Sequence, residues 1–134
     1  MPVLHALDYA VLRITPHVER EEFLNVGVLL YCRTLHFLDC CIHVDQARLA
    51  AFAPDFDLAA AQAQLDLVPL ICRGDAASGP LSALDQGERF RWLAAPRSTV
   101  LQVSPTHRGV SADPQQALTD LFQRLVLYPP TRIN

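Results

Sequence analysis

The stretch LNVGVLLYCRTLHFLDCCIHV, residues 24–44, decides the fold. It holds two runs of β-formers, Leu24 to Tyr31 and Phe37 to Val44, joined by the short connection from Cys32 to His36. Runs rich in Val, Ile, Leu and aromatic side chains favour strands, and a connection this short joins antiparallel neighbours. Side-chain chemistry then suggests a register. Setting Leu30 opposite Leu38 also sets Val28 opposite Cys40, Val26 opposite Ile42 and Leu24 opposite Val44, which makes one face wholly apolar. A slip that brings Val28 against Asp39 is worse. The other face is mixed: Asn25, Gly27, Leu29 and Tyr31 against His43, Cys41, Asp39 and Phe37. Gly27 inside a strand marks a bulge or a close backbone approach.

Working outward, Tyr9 to Thr15 reads as a strand, with Ala10, Leu12 and Ile14 on one face and Tyr9, Val11, Arg13 and Thr15 on the other. Pro16 ends it, and the polar run His17 to Glu22 is a loop. Beyond the hairpin, Asp45 caps a short helix from Gln46 to Ala53, and Asp57 caps a second from Leu58 to Cys72. Pro69 is expected to end that helix early or kink it. Arg73 to Pro80 is a loop inside what length makes a single domain, residues 1–134. Leu81 to Leu93 holds a turn and a helix, Thr99 to Val103 a fourth strand, and Ser104 to Ala112 a loop. The clearest helix runs from Asp113 to Leu127: Asp113 is an N-cap, Pro114 fits the first position, and Gln116 closes a capping box. Its stripe is Ala117, Leu118, Leu121, Phe122 and Leu125. The expected class is α+β, a small mostly antiparallel sheet of about four strands with helices packed on one face.

Composition narrows function by exclusion. Of 134 residues, 51% are hydrophobic and 19% charged, which excludes a wholly disordered chain. The formal charge of -3 leaves no global basic field for nucleic acid. All eleven basic residues are arginine. Without lysine there is no Walker-type phosphate loop and no Schiff-base chemistry, so a bound anion is held by arginine or backbone N–H groups. Cys32, Cys40, Cys41 and Cys72 form no CxxC pair and read as reduced thiols of a cytoplasmic protein. The N-terminus has no signal-peptide pattern, and no apolar run is long enough to span a membrane.

Four segments resemble one family: YAVLR (9–13), REEFLNVGV (20–28), GERFRW (87–92) and APRSTVLQVSPTHRG (95–109). Together they make the chain similar to the bacterial family filed as domain of unknown function 3037, over about residues 8 to 127. The resemblance implies no mechanism. It implies a gene neighbourhood with HipA-type kinases, and so a role as partner or regulator.

Three constellations carry chemistry. Arg97, Ser98, Thr99, Gln102, Ser104 and His107 offer an arginine fork, hydroxyls, an amide and an imidazole to a phosphate or carboxylate, or else tie down a loop. Asn25, Asp39, Cys41 and His43 share the mixed hairpin face; Cys41 with His43 suggests a nucleophile and base or two metal ligands, and Asn25 with His43 a cross-strand hydrogen bond. The charged loop Glu19 to Glu22 places Arg20, with Arg13 on the nearby strand, as an anion site or a partner rim. The expected binding residues are therefore Arg13, Arg20, Asn25, Arg97, Ser98, Thr99, Gln102, Ser104 and His107, with no catalytic set, metal or cofactor. A non-enzymatic interaction protein is the leading expectation, its partner a HipA-type kinase or a second copy. The alternative is a phosphate or nucleic-acid binder, hydrolytic or not, using the segment 97–108.

Overall fold

A computed structural model describes residues 2–96 and 99–127. The chain is α+β, built on an antiparallel sheet of five strands: β1 (His5–Ile14), β2 (Leu24–Cys32), β3 (Phe37–Ile42), β4 (Leu101–Val103) and β5 (His107–Ser111). The helices are α1 (Gln46–Phe52), α2 (Leu58–Arg73), α3 (Gln86–Ala94) and α4 (Pro114–Leu125). The sheet order is β3-β2-β1, and β4 and β5 pair with successive halves of the far side of β1.

Residues 107–111, expected in a loop, thus make a fifth strand. Its alternation is weak because three of its five residues are strongly exposed. One extra residue separates the β4 register from the β5 register opposite β1. Pro105 sits in that irregularity and has no N–H to give. Ser104 makes the repair: its N–H donates to the Val11 carbonyl at 2.9 Å, and its Oγ accepts the Val11 N–H at 2.9 Å.

Helices cover both faces, not one. On the first face Leu12, Ile14, Leu24, Val26 and Leu29 pack under Leu49 of α1, Leu65, Val68 and Ile71 of α2, and Phe90 and Leu93 of α3. On the second, Leu7, Val28, Leu30 and Cys32 meet Leu118 and Leu121 of α4. This changes the hairpin register. Leu30 pairs with Asp39, Leu29 with Cys40, Val28 with Cys41 and Gly27 with Ile42, one residue from the expected pairing. The expected register assumed one apolar face and one mixed face; helices α1 to α3 pack on one side and α4 on the other, so both sides carry a core and the assumption fails. A bulge adds to the shift, because Arg13 pairs with Asn25 while Leu12 pairs with Gly27, leaving Val26 as the extra residue. Val26 and Leu24 then lie on the same face as Leu29 despite their opposite parity. Gly27 is the close approach its type suggests: a Cβ there would stand 3.0 Å from the Cys41 carbonyl oxygen.

The caps follow the sequence. Asp45, Asp57, Asp85 and Asp113 each accept a backbone N–H from the first turn of the helix that follows. Gln116 does not complete a box; its amide reaches forward to Asp120 at 2.8 Å. Helix α2 continues through Pro69 to Arg73 instead of stopping. Its buried side chains on both sides of the proline, Leu65, Val68, Ile71 and Cys72, hold the turn where one backbone bond is missing. The expected loop at 73–80 is mostly tight 3-10 turns, Ala76–Ala83, interrupted at Gly79.

Candidate functional site

Three of the expected site residues form one row across the second face. Arg13 of β1 pairs with Asn25 of β2 on one side and Gln102 of β4 on the other. Residues directly opposite in an antiparallel pair project from the same face. Asn25 does not bond across to His43. Its amide donates to the Leu125 carbonyl at the end of α4, 3.1 Å away, and so ties that helix to the sheet. The Arg13 guanidinium lies over the Phe23 ring, 4.0 Å from its centroid. Arg13 Nε, Asn25 Oδ1 and Thr15 Oγ1 are buried without a protein partner.

The other expected residues scatter. Arg20 is on an exposed turn, paired with Glu22, and lines a shallow groove of about 430 Å³ with Pro16, His17, Glu19, Phe52 and Ala53. Arg13 is not part of that groove. Thr99 donates its hydroxyl to the Leu101 carbonyl at 2.8 Å. Ser104 is 2% exposed and engaged in the β1 repair, which makes it a structural tie. His107 is exposed and rests against Tyr9, ring centroids 5.2 Å apart. Arg97 and Ser98 lie outside the described residues.

The Cys41 and His43 pairing gains no support as a nucleophile and base. His43 lies beyond the end of β3 and is exposed. Burial raises the Cys41 thiol above its ordinary value, with Cys40 and Asp39 adding to the effect. Cys72 is raised further, first by its hydrogen bond with Cys40 and then by burial. A thiol held protonated is a poor nucleophile and a poor metal ligand. All four cysteines are free. Among the described residues, no three His, Cys, Asp or Glu side chains gather closely enough to hold a metal ion.

Sequence reasoning missed a second region, at the opposite end of the sheet on the first face. Helix α3 crosses there, with Phe90 stacked on Tyr31 at 5.4 Å between centroids. Past Tyr31 the face is open: Ala6, Arg33 and Val110 are exposed. Register sets Ala6 opposite Val110, and Asp8 opposite both Arg108 and Tyr31. The result is a groove of about 710 Å³ whose lining includes Asp8, Tyr31, Arg33, Asp85, Arg91 and Arg108. Gly87 in the first turn of α3 permits the closeness of its wall. A Cβ on it would stand 3.0 Å from the Tyr31 hydroxyl and 3.4 Å from Arg91 Nη1.

The arginines around this groove divide by engagement. Arg89, behind the wall, gives its donors to the carbonyls of Ile71, Leu84 and Cys72 at 2.9, 2.7 and 3.4 Å, closing the end of α2 onto α3. Arg108 bonds Asp8 through Nε at 3.1 Å. Neither Arg33 nor Arg91 forms an ion pair with a described carboxylate. Asp85 is held below the ordinary aspartate range by the Glu88 backbone N–H it accepts, then by the Glu88 side chain, with smaller help from Arg91 and Arg89. The signals that pointed here were in the sequence: GERFRW supplies the wall, the hairpin connection supplies Arg33, and Arg108 closes the segment 97–108. Nothing in linear order brings the three together.

The sheet thus carries helices on both faces, one polar row on the α4 side and one groove with three arginines at its open end. The family described as "Protein of unknown function (DUF3037)" matches residues 9–126, and the chain belongs to that family. No curated protein and no solved structure matches it.

Proposed function

We propose that this protein is a non-enzymatic interaction or regulatory partner of another protein, and that it docks through the uncovered end of its sheet. One observation carries the reading. Strand β5 has no neighbour on its outer edge among the described residues, and Val110 on it is 67% exposed. Val3 and Leu4, just before β1, are 69% and 63% exposed. A free edge flanked by uncovered apolar side chains accepts an added strand from a partner. The first partner to test is the HipA-type kinase implied by the resemblance, with a second copy of the chain next. Val110→Asp places a charge on that edge and is expected to abolish co-elution with the partner while leaving the fold intact. A wild-type chain that stays monomeric and ignores the kinase at micromolar concentration overturns the reading.

A second reading, a phosphate or nucleic-acid binder using the segment 97–108, has its own support. Arg108 and Thr106 of that segment line the end of the sheet beside Arg91. Phosphate contacts weaken steeply with salt, so a salt titration of oligonucleotide binding tests the nucleic-acid form of it.

A further inference from the structure

We infer that the groove between the open end of the sheet and α3 binds a phosphate monoester, held by Arg33, Arg91 and Arg108. The inference deepens the phosphate-binding reading and stands apart from the docking edge. It starts from charge. Arg33, on the hairpin connection, and Arg91, on the wall helix, face a common groove, and neither forms an ion pair with a described carboxylate. Arg108 is balanced by Asp8 through Nε alone, which leaves its two terminal nitrogens free on a side chain 78% exposed. Asp85 is the other carboxylate of the lining, and it is committed to the Glu88 N–H at the start of α3. The lining thus sets three guanidinium groups against two carboxylates, an excess of positive charge. A phosphate monoester offers three terminal oxygens to three guanidinium groups, whereas a carboxylate offers two. Guanidinium forks are also the donors best shaped for its oxygens.

The cavity has the right size and lining for the rest of a small ligand. Its volume of about 710 Å³ is within the ~300–1,000 Å³ of small-molecule sites. The Tyr31 ring, stacked on Phe90, gives the floor a flat apolar surface, and the Tyr31 hydroxyl stands beside the Arg91 guanidinium across Gly87. An ester with a planar group would lay that group on the floor and its phosphate among the arginines. Duplex nucleic acid fits less well, since the overall charge is -3 and the groove itself presents three arginines beside two aspartates.

The test uses the whole chain and three probes: inorganic phosphate, adenosine monophosphate and a phosphoserine peptide. Each is titrated with chemical-shift mapping and thermal melting, against sodium chloride at matched ionic strength. The expected result is saturable binding, with shifts centred on Arg33, Gly87, Arg91 and Arg108. Arg91→Gln and Arg33→Gln should each weaken it at least ten-fold, and Arg20→Gln, on the opposite end, should leave it unchanged. Tighter binding of the nucleotide identifies a free metabolite as the source of the phosphate, and tighter binding of the peptide identifies a modified protein. Sodium chloride reproducing the effect, shifts spread evenly over all arginines, or no saturation with any probe overturns the inference. Arg91→Gln separates the two proposals: the protein complex should survive it, and phosphate binding should not.

Discussion

The polar row and the arginine groove are built from similar residues and do opposite things. In the row, Arg13 lies on Phe23, Asn25 holds the last turn of α4, and Gln102 completes the line across three strands. Helix α4 packs on the β2 and β3 side of this face and is tied to Asn25, and Arg13 Nε and Asn25 Oδ1 are buried. In the groove, Arg33 and Arg91 project where the first-face helices end, and solvent reaches them. The difference lies in coverage, not in composition. An arginine becomes structural when its guanidinium is spent on a ring or on carbonyls, as with Arg13 and Arg89. The same residue becomes available for a ligand when the covering layer runs out.

Predictions follow from that contrast, beginning with the covered side. Leu118 of α4 is fully buried against Val28 and Leu30. Leu118→Ala should destabilise the fold by about 2–5 kcal/mol in urea unfolding, through lost burial and the cavity left behind. A loss below about 1 kcal/mol would mean that α4 does not seal the row. Ser104→Ala removes the acceptor of the buried Val11 N–H. It should cost about 1–3 kcal/mol, and hydrogen exchange at Val11 should quicken more than at its neighbours. An unchanged Val11 amide would return Ser104 to the set of candidate ligand contacts.

Asp85 tests the groove wall through pH. Its carboxyl is held below the ordinary aspartate value in the folded state, chiefly by the Glu88 N–H. Its contribution is therefore present above the unfolded aspartate value of about 4 and fades as pH falls through the lower, folded value. Asp85→Asn keeps a cap but cannot titrate. Urea midpoints of the two proteins should differ at neutral pH and converge as pH falls through the folded Asp85 value, and a gap that persists into acid would show that the wall does not depend on that charge. The smallest effect belongs to Arg91→Gln, an exposed residue with no ion pair among the described residues. Its stability should stay within about 0.5 kcal/mol of wild type even as phosphate binding fails. A large loss of stability would place Arg91 with Arg13 and Arg89, as a structural group.

Much of the local structure was readable from residue order. The aspartate caps at Asp45, Asp57 and Asp113 work because a short carboxylate reaches an orphan N–H within three residues, which needs no tertiary context. The face assignments of β1 held for the same reason, since alternation is local. The hairpin register did not hold. It depends on what covers each face: α4 packs on Val28 and Leu30, while helices α2 and α3 cover Leu29 and Tyr31 on the face expected to be mixed. Strand β5 was illegible because its partner among the described residues, β1, lies about a hundred residues away. The site divided along the same line: Arg13, Asn25 and Gln102 were recognisable as polar residues on strands, while Arg33, Arg91 and Arg108 become one group only when the chain is folded.

What the amino-acid order determined by itself was the family, the α+β class, the helix starts and the type of anion chemistry open to a chain with arginine and no lysine. Tertiary structure alone decided the register, the fifth strand, and which arginines are sealed and which are free. The reason is range: caps and alternation act over a few residues, whereas burial is a property of surfaces that meet from distant parts of the chain.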